Sequence, residues 1–141
     1  MIEFSLPYPP TVNNYFTISH GRKILSPRGR LFHQASTAIV AQLRKEKRIP
    51  YGCIYAQDDV QVELTFYRPD NRKRDLDNLI KATLDAITKA NIWHDDEQII
   101  KIIVQWGDDI IPNGRTDIKI MASKTPRMHA KKISDSLLIP T

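Results

Sequence analysis

The sequence lacks the residues that build disulfide-linked, thiolate-metal or membrane-spanning proteins. Cys53 is the only cysteine in 141 residues, so neither an internal disulfide nor a cysteine zinc cluster can form. No apolar run approaches the roughly 18 residues needed to cross a bilayer, and residues 1–10 do not resemble a secretion signal. Glycine-rich phosphate loops and Gly-x-Ser-x-Gly motifs are also missing, which argues against a nucleotide cofactor and against acyl transfer. We therefore expect a cytoplasmic protein with no membrane partner.

The composition suits one compact domain with a basic surface. Apolar residues make up 41% of the chain, which is enough for a single hydrophobic core. Lys and Arg number 21 against 16 Asp and Glu, giving a formal net charge of +5. This excess agrees with a polyanionic partner, although many ordinary proteins are equally basic. The placement of the charges therefore matters more than their total.

Four segments have the patterns of β-strands. Residues 1–6 and 60–67 alternate apolar and polar side chains, as half-buried strands do. Residues 98–106 carry apolar side chains on both faces, which predicts a strand covered on both sides. A Pro-Asn-Gly turn at 112–114 leads into a final strand over 116–122.

Two helices are predicted between these strands. Ser26 and Pro27 begin the first as N-cap and first-turn residues, and it continues to about Lys47. Its apolar positions at helical spacing are Leu31, Ala35, Ala38, Ile39 and Leu43. The apolar face of the second helix, which ends at Ala90 and Asn91, consists of Leu76, Leu79, Ile80, Leu84 and Ile87.

The order of these elements favours an α+β domain, with a mixed β-sheet of about four strands and two main helices. Residues 11–25 are rich in turn formers and predict a loop or an irregular hairpin. We assign residues 1–122 to the domain. Residues 123–141 are predicted to form a basic C-terminal appendage, whose composition permits partial disorder.

Residues suited to chemistry gather around the start of the second helix. Asp75 and Asp77 follow a basic run at 72–74, and Asp96 comes nineteen residues after Asp77. Phosphodiester hydrolysis uses a hard cation such as Mg²⁺, which prefers carboxylate oxygens. Lys81, four residues after Asp77, shares its helix face and would point toward a phosphate beside the metal.

The same residues also permit an ordinary structural interpretation. Asp75 and Asp77 are typical helix-capping residues, and Lys81 suits an exposed i,i+4 ion pair. Residues 95–96 would then be a polar turn, and the basic run at 72–74 a solvated loop. Spacing alone does not decide between the two interpretations.

A longer pattern runs through this region. Residues 74–79 are Arg-Asp-Leu-Asp-Asn-Leu, Lys81 follows, and residues 85–90 are Asp-Ala-Ile-Thr-Lys-Ala, followed by Trp93 and the acidic pair 95–96. The pattern resembles the core motif of the RusA-like Holliday-junction resolvases. This similarity covers most of the chain, because the opening strand and proline turn, and the sequence up to about Ala122, also resemble that family.

The resemblance implies a function, a cofactor and an assembly. The function is an endonuclease that resolves Holliday junctions, which are four-way branched DNA, by Mg²⁺-dependent paired nicking. It also implies a homodimer, whose two sites match the twofold symmetry of that substrate. The residues assigned to the metal are Asp75, Asp77 and Asp96. Lys81 is assigned as the active-site lysine, with Asn78 and Asp95 in supporting positions around the metal.

Contacts to the DNA backbone are expected from basic residues, independently of base sequence. These are Arg72, Lys73, Arg74, Arg22 and Lys23. Two other functions stay open. One is a non-catalytic protein of the same fold that holds branched DNA through charge alone. The other is a general Mg²⁺-dependent nuclease that uses Asp70, Asp117 and Lys119, a pattern typical of restriction-type nucleases.

Overall fold

The computed structural model describes residues 1–123, 133–137 and 139, and the following bounds refer to that part of the chain. The strands are β1 (Ile2–Leu6), β2 (Phe16–Ser19), β3 (Arg22–Leu25), β4 (Val60–Tyr67), β5 (Ile99–Trp106) and β6 (Arg115–Ala122). The helices are α1 (Val12–Tyr15), α2 (Pro27–Lys45) and α3 (Ile80–Lys89). Short 3-10 turns span Leu76–Leu79, Asp96–Gln98 and Asp135–Leu137.

Strand β4 lies inside the main sheet, whose order is β1-β6-β4-β5. It pairs antiparallel with β6 and parallel with β5, so the sheet is mixed and the predicted α+β class is confirmed. The alternation along β4 directs one row of side chains into the core, as predicted. This row, which is almost fully buried with residues of α2 and α3, consists of Val60, Val62, Leu64 and Phe66.

Strand β5 lies at the edge of this sheet, and the prediction that it is covered on both sides is wrong for the single chain. Ile102 pairs with Val62 on the core face and Ile103 with Glu63 on the opposite face, yet both isoleucines are exposed. Ile100, at a register shift, is exposed as well. The sequence pattern predicted burial, but β4 is the sole strand that pairs with β5 in the described sheet.

Helix α2 begins as predicted but buries a different face. The Ser26 hydroxyl accepts a hydrogen bond from the Gly29 backbone N–H at 3.0 Å, which confirms the N-cap. The buried positions are Gly29, Phe32, Ser36 and Val40, with Ile39 and Leu43 partly buried. Leu31 is 65% exposed, and Ala35 and Ala38 also face solvent. Packing of α2 against α1 and α3 selects this face, and at Gly29 the close approach of the Tyr15 carbonyl leaves no room for a Cβ.

Helix α3 agrees with the predicted helix except in its first turn, which is the 3-10 turn Leu76–Leu79. It ends at Lys89 with Ala90 as the C-cap, and Asn91 adopts a left-handed φ of 63°, a common way to terminate a helix. The following chain returns to the core at Trp93, whose indole N–H donates to the Thr88 hydroxyl at 2.7 Å. This anchor fixes the path from α3 to the turn Asp96–Gln98.

The segment predicted as a loop or irregular hairpin contains both the short helix α1 and the hairpin formed by β2 and β3. The hairpin was predicted, whereas α1 was not. His20 and Gly21 connect the two strands with positive φ angles of 51° and 75°, which suit a two-residue hairpin turn. At the base of the hairpin, the Ser26 N–H donates to the Tyr15 carbonyl at 2.9 Å.

The predicted C-terminal appendage lies mostly outside the described residues. Its described part includes the 3-10 turn Asp135–Leu137. Across the part of the chain that the structure describes, no helix combines the length and apolar character that a bilayer crossing requires.

Candidate active site

The loop from β4 to α3 is organised around one carboxylate. Asp70 accepts a hydrogen bond from the Arg72 backbone N–H at 2.9 Å and lies 2.8 Å from a guanidinium nitrogen of Arg74. These contacts, chiefly the one with Arg74, lower the pKa of Asp70 to about 2. The Asp70 carboxylate therefore stabilises the loop that leads to Asp75.

Asp75 and Asp77 lie where this loop enters the 3-10 turn. Asp75 is extended, with φ −87° and ψ 123°, and its side chain forms no capping hydrogen bond. The Asn78 backbone N–H donates to the Asp75 carbonyl at 3.2 Å, which fixes the backbone rather than the carboxylate. Both aspartates are exposed, and within residues 1–123 neither side chain has a hydrogen-bond or ion-pair partner. Their carboxylate oxygens are therefore free to bind an external ligand.

Lys81, one turn further along α3, pairs with Asp85 instead of Asp77. The Lys81 ammonium lies 3.1 Å from Asp85 Oδ1. Asp85 Oδ2 accepts a hydrogen bond at 2.9 Å from the hydroxyl of Tyr15, a residue of α1 that is fully buried. The same hydroxyl lies 2.6 Å from His33 Nε2 on α2. One hydrogen-bonded cluster therefore links all three helices to the lysine.

The turn Asp96–Gln98 begins with a capping box. Asp95 accepts a hydrogen bond from the Glu97 backbone N–H at 3.1 Å, and the Gln98 side chain accepts from the Asp95 N–H at 2.8 Å. Gln98 is buried and also donates to the Tyr55 carbonyl at 2.7 Å. The turn that carries Asp96 is thus attached to the core.

The pKa values of the neighbouring Asp95 and Asp96 are shifted in opposite directions. The hydrogen bond from the Glu97 backbone lowers the pKa of Asp95. A hydrogen bond with Asp95 raises the pKa of Asp96, burial and the Asp95 charge add to the increase, and the nearby Lys81 charge opposes it. The charge of Asp85 also reaches Asp96 and raises its pKa. Lys81, Asp85 and Asp96 therefore share one electrostatic neighbourhood.

The predicted metal residues are not gathered into one ligand set. The turn carrying Asp96 packs against α3, whose start lies next to Asp75 and Asp77. Among the described residues, however, no three or more Asp, Glu, His or Cys side chains are positioned to hold one metal ion. Asp75 and Asp77 thus carry unpartnered carboxylates, whereas Asp96 shares its electrostatic neighbourhood with Lys81.

Comparison of the chain's sequence with known proteins identifies its family. The Endodeoxyribonuclease RusA family matches residues 7–121. The chain belongs to this family. A crossover junction endodeoxyribonuclease RusA from Shigella sonnei (strain Ss046) is 36% identical over 96 residues, or 68% of this chain and 74% of the relative. The protein of the same name from Enterobacteria phage HK97 is 33% identical over 118 residues, or 84% of this chain and 92% of the relative.

A third relative, the crossover junction endodeoxyribonuclease RusA of Escherichia coli (strain K12), is 36% identical over 96 residues. The resemblance inferred from the central motif is therefore confirmed. The RusA match at 7–121 includes every predicted metal residue and Lys81. Most of the C-terminal segment lies beyond it.

The basic residues predicted to contact DNA differ in availability in this RusA-family chain. Arg72 has a side chain that is 83% exposed, and Lys73 is also exposed. Arg74 is only 18% exposed, because it is engaged by Asp70. On the hairpin, Arg22 is exposed, whereas Lys23 lies over the Phe16 ring, 4.3 Å from its centroid.

The alternative nuclease set lies on a different part of the RusA fold. Asp117, on β6, accepts a hydrogen bond from the Ser5 hydroxyl at 2.6 Å. Lys119 lies 3.9 Å from Glu3, and Asp70 is held in its loop by arginine. Asp70, Asp117 and Lys119 thus each have a structural partner, and none of these partners belongs to the same set.

The hydrogen-bonded cluster consists of Tyr15, His33, Asp85 and Lys81. The sequence did not identify the first three as functional candidates. Asp85 was visible on the face of Lys81 but was not assigned a role. Tyr15 lies in a segment predicted as a loop, so nothing in the sequence signalled its burial. His33 has no partner at metal-ligand spacing in the sequence, so no motif marked it as a functional residue. Their proximity depends on three helices meeting.

Proposed function

We propose that this chain is a cytoplasmic endonuclease that resolves Holliday junctions by Mg²⁺-dependent paired nicking. The observation that carries the proposal is membership of the RusA family over residues 7–121, a range that contains the whole acidic motif. The relatives are named crossover junction endodeoxyribonucleases. The exposed carboxylates of Asp75 and Asp77, and the ammonium of Lys81 in the first turn of α3, supply the chemical groups that such an activity needs.

The donor chemistry fits Mg²⁺, with Asp75, Asp77 and Asp96 as the proposed ligands. Carboxylate oxygens are preferred by this hard cation, and two of the three side chains are unengaged within the described chain. When bound, Mg²⁺ would polarise the phosphodiester and lower the pKa of an attacking water. Among the described residues these three carboxylates are not positioned to hold one ion together, so joint binding requires their side chains to come closer to one another.

The remaining residues of the site act on the DNA. The Lys81 ammonium would stabilise negative charge that builds on the scissile phosphate. The exposed cations Arg22, Lys23, Arg72 and Lys73 would hold the DNA backbone, so binding should weaken as salt rises. Arg74 would contribute through the loop that it holds with Asp70. Hydrolysis would leave 5′-phosphate and 3′-hydroxyl ends.

We further propose a homodimer, which would bring two sites to opposing strands of one junction. The edge strand β5 supports an interface, since Ile100, Ile102 and Ile103 are exposed at 41%, 38% and 44%. An unpaired strand edge with apolar side chains on both faces is a typical surface for pairing with another chain.

The test is cleavage of a synthetic four-way junction, with linear duplex of the same sequence as the substrate control. Asp75→Asn and Asp77→Asn should each abolish Mg²⁺-dependent nicking while leaving junction binding intact, because the amide keeps the shape but loses the charge that binds the cation. Asp117→Asn is the matched control, an identical chemical change on β6, and it should cleave normally.

Each rival function predicts a different outcome. If the chain is a non-catalytic junction-binding protein, the wild type and every variant would bind the four-way junction, and none of them would nick it. A nuclease that uses Asp70 and Asp117 would lose cleavage in Asp117→Asn and retain it in Asp96→Asn. Either result would overturn the proposed site.

A further inference from the structure

The hydrogen bonds around Tyr15 determine where the Asp85 carboxylate lies. The Tyr15 hydroxyl has a single hydrogen, which it donates to Asp85 Oδ2. His33 Nε2 must then carry a hydrogen and donate to the Tyr15 oxygen. Burial lowers the pKa of His33, partly offset by the Asp85 charge, so its neutral form is favoured. Asp85 is therefore held from the core side.

Tyr15 is itself fixed by close packing. Its side chain is fully buried, and its ring meets the Phe16 ring edge-on with centroids 4.6 Å apart. Helix α2 approaches so closely that a Cβ on Gly29 would lie 2.6 Å from the Tyr15 carbonyl oxygen. Because neither ring nor backbone can move without disturbing α2, the hydroxyl position is determined by the fold.

Lys81 has two acidic candidates nearby in the sequence, and the structure selects one. Asp77 and Asp85 are each four residues away. Asp77, however, lies in the 3-10 turn before α3, where the four-residue spacing does not place two side chains on one helix face. Lys81 and Asp85 share one face of α3 and pair at 3.1 Å, and the second oxygen of Asp85 is bonded to Tyr15. The buried hydroxyl thus holds the acid of an otherwise weak surface pair.

We propose that Asp85, held by Tyr15, is a positioning residue that keeps the Lys81 ammonium 3.1 Å from its own carboxylate and off Asp77. This role rests on the proposed nuclease function. It leaves Asp77 free for a cation and places the lysine charge where it would meet a phosphate. Asp85 does not itself touch DNA or metal in this role, so it acts only through Lys81.

Tyr15→Phe tests the proposal without changing any charge, and Tyr55→Phe is the matched control. Both remove one hydroxyl from a buried tyrosine, but the Tyr55 hydroxyl donates to the Ile120 carbonyl of β6, and the bond from Gln98 to Tyr55 uses the backbone carbonyl, which the substitution keeps. Tyr15→Phe should lower the nicking rate at saturating junction by roughly tenfold, because a hydrogen bond to a charged group is lost. Junction affinity should be unchanged, and Tyr55→Phe should retain the wild-type rate.

A double-variant experiment separates positioning from general damage. In a Lys81→Met background, Tyr15→Phe should cause no further loss of rate, since the lysine through which it acts is absent. An equal loss in both backgrounds would overturn the proposal. Asp85→Asn serves as the second variant, because Asp85 is partly exposed and the change keeps the shape of its side chain while removing the charge that pairs with Lys81.

A measurement that does not depend on nuclease activity distinguishes failure of the positioning role from failure of the proposed nuclease function. In metal-free protein, ¹³C relaxation at the Lys81 Cε reports how firmly the side chain is held. Tyr15→Phe and Asp85→Asn should increase its mobility, and Tyr55→Phe should not. Unchanged mobility would refute the positioning role. If the wild type nicks no junction but Tyr15→Phe still increases the mobility of Lys81, the nuclease proposal fails, while the positioning of Lys81 by Asp85 and Tyr15 stands.

Discussion

Replacing Gly29 with alanine tests how tightly α2 is packed on Tyr15. The added Cβ would lie 2.6 Å from the Tyr15 carbonyl oxygen, 3.1 Å from its Cδ1 and 3.3 Å from a Leu25 methyl carbon. Ordinary contacts begin at 3.4 Å, so the backbone of α1 and α2 must separate by about 0.8 Å. The first of these contacts is with backbone, which cannot rotate away as a side chain can.

Two opposing effects determine the magnitude. Alanine is favoured over glycine in a helix by at most about 1 kcal/mol, whereas overpacking costs about 1–3 kcal/mol. We therefore expect Gly29→Ala to lower the free energy of unfolding by up to about 2 kcal/mol, or the melting temperature by several degrees. Displacement of Tyr15 should also lower the nicking rate.

Urea unfolding followed by tryptophan fluorescence measures the first effect, because Trp93 is fully buried. Ala35→Gly is the control, since Ala35 is exposed on the same helix. It should lose about 1 kcal/mol of stability with no loss of nicking. If Gly29→Ala proves more stable than the wild type and nicks at the same rate, the close-packing argument is wrong.

Two further predictions concern the loop and the sheet edge. The Asp70 carboxyl should titrate at about 2 by ¹³C NMR, and Arg74→Ala should return it toward its usual 3.8. Since the folded-state pKa is depressed, the stability that this pair provides should be present above pH 3.8 and be lost as the pH falls through about 2; an unshifted midpoint in the wild type would contradict this. Ile103→Lys places a charge on β5 and should convert the proposed homodimer to monomer in sedimentation experiments. Leu31→Lys, at an exposed position of α2, should leave the dimer intact. Equal dimerisation in both variants would exclude β5 as the interface.

Local patterns correctly predicted the elements that have a strict periodicity. The alternation in β4 specified both the strand and its buried row, because a strand has two faces and only one pattern buries an apolar set. The N-cap at Ser26 fixed the start of α2 for a similarly local reason, since it depends on a backbone N–H three residues away. The acidic motif was also evident as a contiguous segment.

The face of α2 and the exposure of β5 were not determined by local pattern. Leu31 is more apolar than Ser36, yet Ser36 is buried and Leu31 is exposed. The buried face of α2 is set by its contacts with α1 and α3, which include a close approach at Gly29, and these contacts have no signature in the hydrophobic period alone. The apolar pattern of 98–106 was present, but whether anything covers β5 depends on its place in the sheet.

By itself, the sequence predicted the fold class, the strands of the main sheet, the two longer helices and, through the central motif, the family; the residues assigned to the metal stay a prediction. These follow from periodicity, capping and a contiguous motif, all of which act over a few neighbouring residues. Tertiary structure alone decided that Lys81 pairs with Asp85 rather than with Asp77. In the fold, Asp85 also accepts a hydrogen bond from the hydroxyl of Tyr15, seventy positions away, which reaches it only because helix packing buries Tyr15 beside α3.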